Sequence, residues 1–229
     1  SVPFDVWTPS TNNIKPELAD QYTIGYFRNF NIGETEFESS AEVYYKDLQN
    51  QVDYVDGANL LLNEFLEGEL INGIGRAYGL ELYVKKATGK LTGWVSYTLS
   101  RSERKSPGIN DNEWYASRFD RLHNLYIVAQ YKYNDKWDLA ANFVFSSGTP
   151  TTFYTGQYTI QGYNVPDAGS NDRNNVRNPD YHRLDLSATY TKRKSKKWES
   201  SWVFSVYNAY NRRNPFSIYF QNNYENTGL

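Results

Sequence analysis

Cysteine is absent from the 229 residues, which excludes a disulfide framework, a thiolate metal site and a cysteine nucleophile. Histidine occurs only at His123 and His182, too few for a histidine-rich metal centre. Methionine is absent too, so the chain reads as a processed form or as a segment of something longer. Ser1 to Ser10 lack the charged and apolar regions of a signal peptide, so none is expected there. No stretch approaches the roughly 18–20 apolar residues that a membrane helix needs. An excess of one charge is also missing. Lys and Arg total 24 against 26 Asp and Glu, a net charge of −2, which argues against nucleic acid as a partner. What is present in quantity is aromatic: 21 Tyr, 12 Phe and 6 Trp, in a chain whose mean hydropathy is −0.73. That pairing fits strands with one apolar and one polar face, ringed by aromatic side chains.

Alternation with a period of two is the main organising signal, and helical periodicity is scarce. Leu139, Ala141, Phe143 and Phe145 alternate with Asp138, Ala140, Asn142 and Ser146, with Val144 a misfit. Tyr78, Leu80, Leu82 and Val84 share one phase, and Glu81 and Lys85 the other. Leu91, Val95, Tyr97 and Leu99 stand against Thr92, Ser96 and Thr98, with Trp94 the exception. The pattern predicts eight strands, at 18–30, 34–48, 73–86, 90–101, 118–133, 136–147, 180–192 and 197–211. Most reach the roughly 9–11 residues that cross a bilayer when tilted. Their connections read short, long, short, long, short, long, short. The short ones are Asn31–Gly33, Ala87–Gly89, Asn134–Asp135 and Arg193–Lys196; the long ones are 49–72, 102–117 and 148–179. An up-and-down meander then collects tight turns at one end and long loops at the other, the layout of an outer-membrane barrel.

Backbone groups inside a bilayer must all be paired, so such strands belong to a closed barrel, and alternation divides each strand between lipid and lumen. Leu80, Leu82, Val84, Val95, Leu99, Phe143, Leu186 and Phe204 are expected to face lipid. Glu38, Glu42, Glu81, Lys85, Thr98, Asn124, Asn142, Arg183 and Asp185 are expected to face the lumen. The competing reading packs the apolar faces against one another in a sandwich or a small ligand-holding barrel. Tyr22, Tyr45, Tyr131, Trp137 and Tyr190 near the strand ends suit the headgroup region, although strand propensity alone also favours aromatics.

Six segments in order resemble the C-terminal part of a TonB-dependent outer-membrane receptor of Bacteroidetes type. These are Ile14-Lys15-Pro16-Glu17 with Tyr22–Tyr26, then Gly75–Leu82, Gly93–Ser100 and Asp120–Asn124. Arg183–Ser187 and Val206–Asn211 complete the set. The resemblance spans nearly the whole chain. It implies an all-β, antiparallel up-and-down transmembrane β-barrel segment of about eight strands within a barrel of about 22. Residues 1–229 would be the C-terminal part of that barrel, without the plug domain, the earlier strands or the closing strand. It implies import of a ferric siderophore, cobalamin or a glycan across the outer membrane of a Gram-negative bacterium, energised through TonB by way of the plug. Outer-membrane lipid, lipopolysaccharide and a surface lipoprotein are the other implied partners. The alternative is an eight-stranded outer-membrane protein closed on itself, with a structural or adhesive role, which the strand number permits.

No catalytic constellation stands out, so no enzyme is expected, and no cofactor or metal. A membrane-embedded lipase or acyl transferase would need a Ser/His/acid set at one depth, and two scattered histidines do not supply it. His123 and His182 read better as strand-end contacts than as acid–base groups. Asp167, Asn171, Asp172, Asn174, Asn175 and Asp180 form an oxygen-rich loop, but their spacing matches turn composition better than a calcium loop. Phe153, Tyr154, Tyr158 and Tyr163 in the same loop are the candidate substrate contacts, since their rings can stack on a sugar or a siderophore; packing among themselves is the equal alternative. Leu60–Leu62 with Phe65 and Leu66 have the spacing of a short helix. Arg193, Lys194, Lys196 and Lys197 read as a solvated turn, and Arg101, Arg104 and Lys105 as a rim cluster for lipopolysaccharide phosphates.

Overall fold

The computed structural model describes residues 9–58, 63–153, 156–167, 172–193 and 198–215. In chain order its strands are β1 (Leu18–Ile32), β2 (Thr35–Tyr54), β3 (Leu70–Lys86), β4 (Leu91–Lys105), β5 (Tyr115–Ala116), β6 (His123–Lys132) and β7 (Trp137–Ser146). They continue with β8 (Pro150–Thr151), β9 (Gly156–Ile160), β10 (Tyr163–Asp167), β11 (Val176–Arg177), β12 (Tyr181–Arg193) and β13 (Glu199–Val206). The eight long strands form one antiparallel sheet in the order β1-β2-β3-β4-β6-β7-β12-β13, with β5 a branch on β4. The meander and the alternation of tight turns with long loops are as the sequence predicts. Tight turns follow from local chemistry. Gly33 takes φ +61° between the paired residues Ile32 and Thr35. Asn134 Oδ1 accepts the backbone N–H groups of Lys136 and Trp137 at 2.9 and 3.0 Å. In the fourth tight turn, residues 194–197 lie outside the described residues.

Cross-strand register fixes the faces, because directly paired residues point the same way. One row runs Tyr26, Ala41, Leu82, Tyr97, Leu125, Phe145; the neighbouring row runs Val84, Val95, Ile127, Phe143, Leu184. Leu80, Leu99, Leu186 and Phe204 fall on this same face. The other face carries the row Gly25, Glu42, Glu81, Thr98, Asn124, Ser146. Both misfits of the alternation, Trp94 and Val144, sit on this second face, where Trp94 pairs with Lys85 and Val144 with Arg183.

The apolar face has no core beneath it. Among the described residues the buried apolar or aromatic side chains are Ile14, Ile109, Tyr115 and Pro150, and none lies in the interior of the eight-stranded sheet. Leu82 and Val95 are 38% and 42% exposed. A water-soluble protein seldom leaves an apolar surface of this extent open, so the sandwich reading fails. The apolar face is bordered by aromatics at both ends. Tyr45 stacks on Tyr78 (6.4 Å between centroids) near the long loops. Phe30 on Phe37 (5.4 Å) and Trp137 against Tyr190 (5.0 Å) lie near the tight turns.

Several boundaries differ from the expected ones. Strands β2, β3 and β4 run on to Tyr54, from Leu70 and to Lys105, well past the apolar rows. The fifth long strand begins at His123 and not at 118. Asp120 turns back to bond its N–H to Ser117 O (2.8 Å), and its carboxylate replaces a ladder acceptor for Ser102 N (2.5 Å). The last strand ends at Val206 and not at 211, because Asn208 and Asn211 take φ of 54° and 55°. The expected helix after residue 60 is a 3-10 turn over Leu66–Glu69, and Leu60–Leu62 lie outside the described residues. Closure of these eight strands on themselves is not observed: among the described residues β1 pairs only with β2, and β13 only with β12.

Candidate functional site: an interlocked loop cluster

The long connections gather at one end of the sheet and are tied together by two buried ionic hubs. The first is Arg173, 8% exposed, in the connection before β12. Its guanidinium donates to Asp53 Oδ1 at 2.7 Å, to Asp56 Oδ1 at 2.6 Å and to Tyr54 O at 2.9 Å, and it covers the Tyr54 ring at 4.5 Å. Asn110 closes the third side: its side chain accepts from Arg173 N (2.8 Å) and donates to Arg173 O (3.1 Å). Tyr115 donates its hydroxyl hydrogen to Asp53 Oδ2 at 2.6 Å and lies 3.0 Å from Ser106 Oγ. Three loops, distant in sequence, thus share one charged node.

Burial, and then the Asp53 carboxylate, push the Tyr115 hydroxyl up to about 12. For Arg173, burial works against the charge, but the carboxylates of Asp56 and Asp53 outweigh it and hold the guanidinium above its ordinary value. Because the folded-state value of Tyr115 lies above the unfolded value of 10.0, its contribution is full below about pH 10. It is lost as pH rises through about 12. Phenolate absorbance of the intact protein minus that of Tyr115→Phe should therefore show one tyrosine titrating near 12. A difference spectrum centred at 10 would show that the loops do not close over this hydroxyl.

The second hub is Asp120, whose carboxylate is fully buried. It accepts from Ser102 N and pairs with Arg177, with Arg101 Nη1 at 3.8 Å. Arg177 also donates to the carbonyl oxygens of Asp120 (3.3 Å) and Gly148 (3.1 Å). Asp180 Oδ1 accepts Gly148 N at 3.0 Å, so both ends of the longest connection are pinned beside β6 and β7. Gly148 is required here, since a β-carbon on it would lie 1.5 Å from Asn178 O.

One family model, described as TonB dependent receptor-like, beta-barrel, matches residues 3–211. The chain belongs to the TonB-dependent receptor β-barrel family. These receptors are transporters of the Gram-negative outer membrane that cross it as β-barrels and work with TonB. No curated protein and no solved structure matches the chain.

Within the receptor chain, the structure joins two of the resembling segments. Arg183 bonds Asp185 (2.9 Å) and the hydroxyl of Tyr207, and lies 4.1 Å above the Tyr207 ring. Asp185 Oδ1 in turn accepts Asn208 N at 2.9 Å. Both histidines make strand-end contacts: His123 Nδ1 lies 2.8 Å from Tyr97 Oη, and His182 Nδ1 lies 2.7 Å from Tyr210 Oη. Of the candidate substrate contacts, Phe153 is bonded through its backbone to the side chain of Asn175 (2.9 and 3.0 Å). Tyr154 lies outside the described residues, as do the side chains of Tyr158 and Tyr163. Their backbones form the β9–β10 hairpin, pairing Tyr163 with Ile160 and Val165 with Tyr158. That hairpin turns on Gln161-Gly162, both at positive φ, a signal that was present in the sequence. Where it is described, the oxygen-rich loop makes ties to distant segments. Asn174 donates to Ala116 O and Asp180 accepts Gly148 N. Among the described residues no group of three or more His, Asp or Glu is placed to hold a metal ion.

The expected rim cluster comes apart. Residues 104 and 105 alternate between faces, so Arg104 turns to the polar side and donates to Val52 O at 3.0 Å. Arg101 turns to Glu103 (3.3 Å) and Asp120.

Proposed function

We propose that residues 1–229 form the C-terminal wall of a larger import barrel whose plug, earlier strands and closing strand come from other parts of the receptor. The observation that carries this is a sheet with one unbacked apolar face, one polar face and an unpaired strand at each edge among the described residues. Open edges are unstable in lipid, so further strands must cover them. The apolar face, with Leu80, Leu82, Val84, Val95, Leu99, Phe143, Leu186 and Phe204, meets lipid. The interlocked loops face outward, and TonB acts through the plug. The cargo is a scarce small molecule or glycan, such as a ferric siderophore or cobalamin, received among the loops beside Phe153, Tyr154, Tyr158 and Tyr163. A surface lipoprotein lid is a compatible partner. The rigid loop base supports this reading, because a receptor that binds outside needs contact residues held on a fixed platform.

The faces are tested by a charge at two neighbouring depths. Val95→Lys in the full receptor should destabilise the assembled barrel by about 2–4 kcal/mol, the cost of a cation on a lipid face near the midplane. Thr98→Lys, on the Glu81 side, should leave the unfolding midpoint within about 0.5 kcal/mol of wild type. Equal effects of the two substitutions would refute the assignment of faces.

A further inference from the structure

Trp94 and Val144 break the alternation on the polar face, and both belong to a pattern there. One row across the sheet runs Phe27, Ser40, Tyr83, Ser96, Tyr126, Val144, so aromatic rings alternate with serines from strand to strand. With strands about 4.8 Å apart, successive rings stand about 10 Å from one another. Trp94 lies one row nearer the tight turns and meets Tyr83 at 6.1 Å between centroids. The row is oblique. Tyr83 is three residues from the turn-side end of β3, Tyr126 three from the loop-side end of β6 and Val144 two from that of β7. It therefore climbs from the turns towards the loops as it crosses the wall, as tilted barrel strands require.

The rings are open and their polar atoms are free. Phe27 is 67% exposed and Tyr126 39%. The hydroxyls of Tyr83 and Tyr126 and the indole N–H of Trp94 have no hydrogen-bond partner among the described residues. Polar rows flank them. Glu42, Glu81, Thr98 and Asn124 run along the loop side, and Asn142 stands on the turn side next to Val128. Glu38 neutralises Lys85 at 2.9 Å, so the charges beside the rings that lack an ion-pair partner among the described residues are the carboxylates of Glu42 and Glu81. Flat rings between hydroxyl, amide and carboxylate groups match a ligand with flat C–H faces and a rim of hydroxyls, which is a chain of sugar rings. Packing against a protein would favour a continuous apolar patch over rings set apart by serines. The two acids turn away an anionic cargo.

The geometry points to a second cargo station on the lumen wall, an oblique ring track that stacks a neutral linear oligosaccharide between the loops and the turns. The assignment rests on the import reading above and narrows it: the contact lies outside the loops, and the charge selects a neutral glycan over an anionic siderophore.

The test follows uptake by cells carrying the full receptor, with maltohexaose, cellohexaose and, as the anionic counterpart, hexagalacturonate. Wild type should take up one of the neutral hexaoses at least about tenfold faster than hexagalacturonate. Tyr83→Ala with Tyr126→Ala should slow that uptake at least about tenfold, two ring contacts being lost. Binding of the same hexaose to de-energised cells, which reports the loops alone, should stay within about twofold of wild type. Tyr83→Phe with Tyr126→Phe should keep uptake within about threefold, because the rings remain. Ser96→Arg keeps both rings and fills the gap between them, and it should block uptake as fully as the alanine pair. Wild-type uptake in the alanine pair or in Ser96→Arg overturns the track. So does an alanine pair that slows all the probes equally and lowers the thermal unfolding midpoint, which would make the rings a seat for the plug. If wild type takes up neither hexaose but imports ferric enterobactin through TonB, the track falls and the import reading stands. If none of the four probes enters through TonB, the import reading falls with it.

Discussion

Gly148→Ala should release the base of the longest connection and lower the stability of the loop end by about 3 kcal/mol or more. The added methyl would stand 1.5 Å from Asn178 O, 2.5 Å from the Asn178 carbonyl carbon and 3.2 Å from its α-carbon. All three are backbone atoms, so no rotamer change relieves the overlap. Either the 148 strand end or the 178 strand end must move. Movement at 148 breaks the bond from Gly148 N to Asp180 and the one from Arg177 to Gly148 O. Movement at 178 breaks the bond from Asn178 N to Thr149 O and disturbs the two-residue pairing of β8 with β11. Each route loosens Arg177 and so removes a partner from the fully buried Asp120 carboxylate. Gly68→Ala is the control, because a methyl there meets nothing within 4 Å. Limited proteolysis of the intact receptor should cut the 148–179 connection readily in Gly148→Ala and leave Gly68→Ala like wild type. Wild-type protection in Gly148→Ala would show that the close approach at Asn178 is not a feature of the folded receptor.

The legible and illegible parts of this structure divide along a physical line. Leu82 and Glu81 are neighbours in sequence that face opposite solvents, so strand phase is written into every pair of residues. Gly33 and Asn134 are local turn formers, so the register they impose is written there too. The family resemblance added order, and the two segments around Arg183 and Asn208 indeed meet. The loop hubs follow no such rule. Arg173 and Asp53 are 120 residues apart, and their contact depends on how three loops pack, which no periodicity encodes. Asp120 lies within one of the resembling segments, but nothing in its spacing marks a buried node, whereas His123 of the same segment rests against Tyr97 at the strand end. The strand ends moved for a related reason. At Asp120 a side chain substitutes for a ladder acceptor, and at Asn208 a left-handed residue stops the ladder, and both choices are dictated by neighbours across the sheet. Arg101, Arg104 and Lys105 looked like one patch because nearby sequence positions suggest nearby charges. Alternation sends Arg104 to the other face, and internal carboxylates claim Arg101.

Arg173→Met should open the loop cluster, at a cost of about 3–5 kcal/mol, the usual range for removing one partner of a buried ion pair. The loss comes less from the attraction than from what stays behind. Asp53 is 10% exposed and would keep its charge with only Tyr115, its own loop backbone and Arg104 at 4.0 Å to answer it. Asp56, 52% exposed, can return to water and should matter less. Combining Arg173→Met with Asp53→Asn should recover part of the loss, because the stranded charge is then gone. Arg173→Lys should fall between wild type and Met, since an ammonium cannot serve Asp53, Asp56 and Tyr54 O together from one planar fork. The hydroxyl of Tyr115 offers an independent readout. The Arg173 charge lowers its pKa, so in Arg173→Met the Tyr115 titration should move further up where the loops stay closed. Where they open, it should fall back towards 10.0, the value of an exposed tyrosine. Thermal unfolding of the loop end, proteolysis and the phenolate titration should agree for all four forms. If Arg173→Met retains wild-type protection and an unmoved Tyr115 titration, the three loops are held by something other than this node.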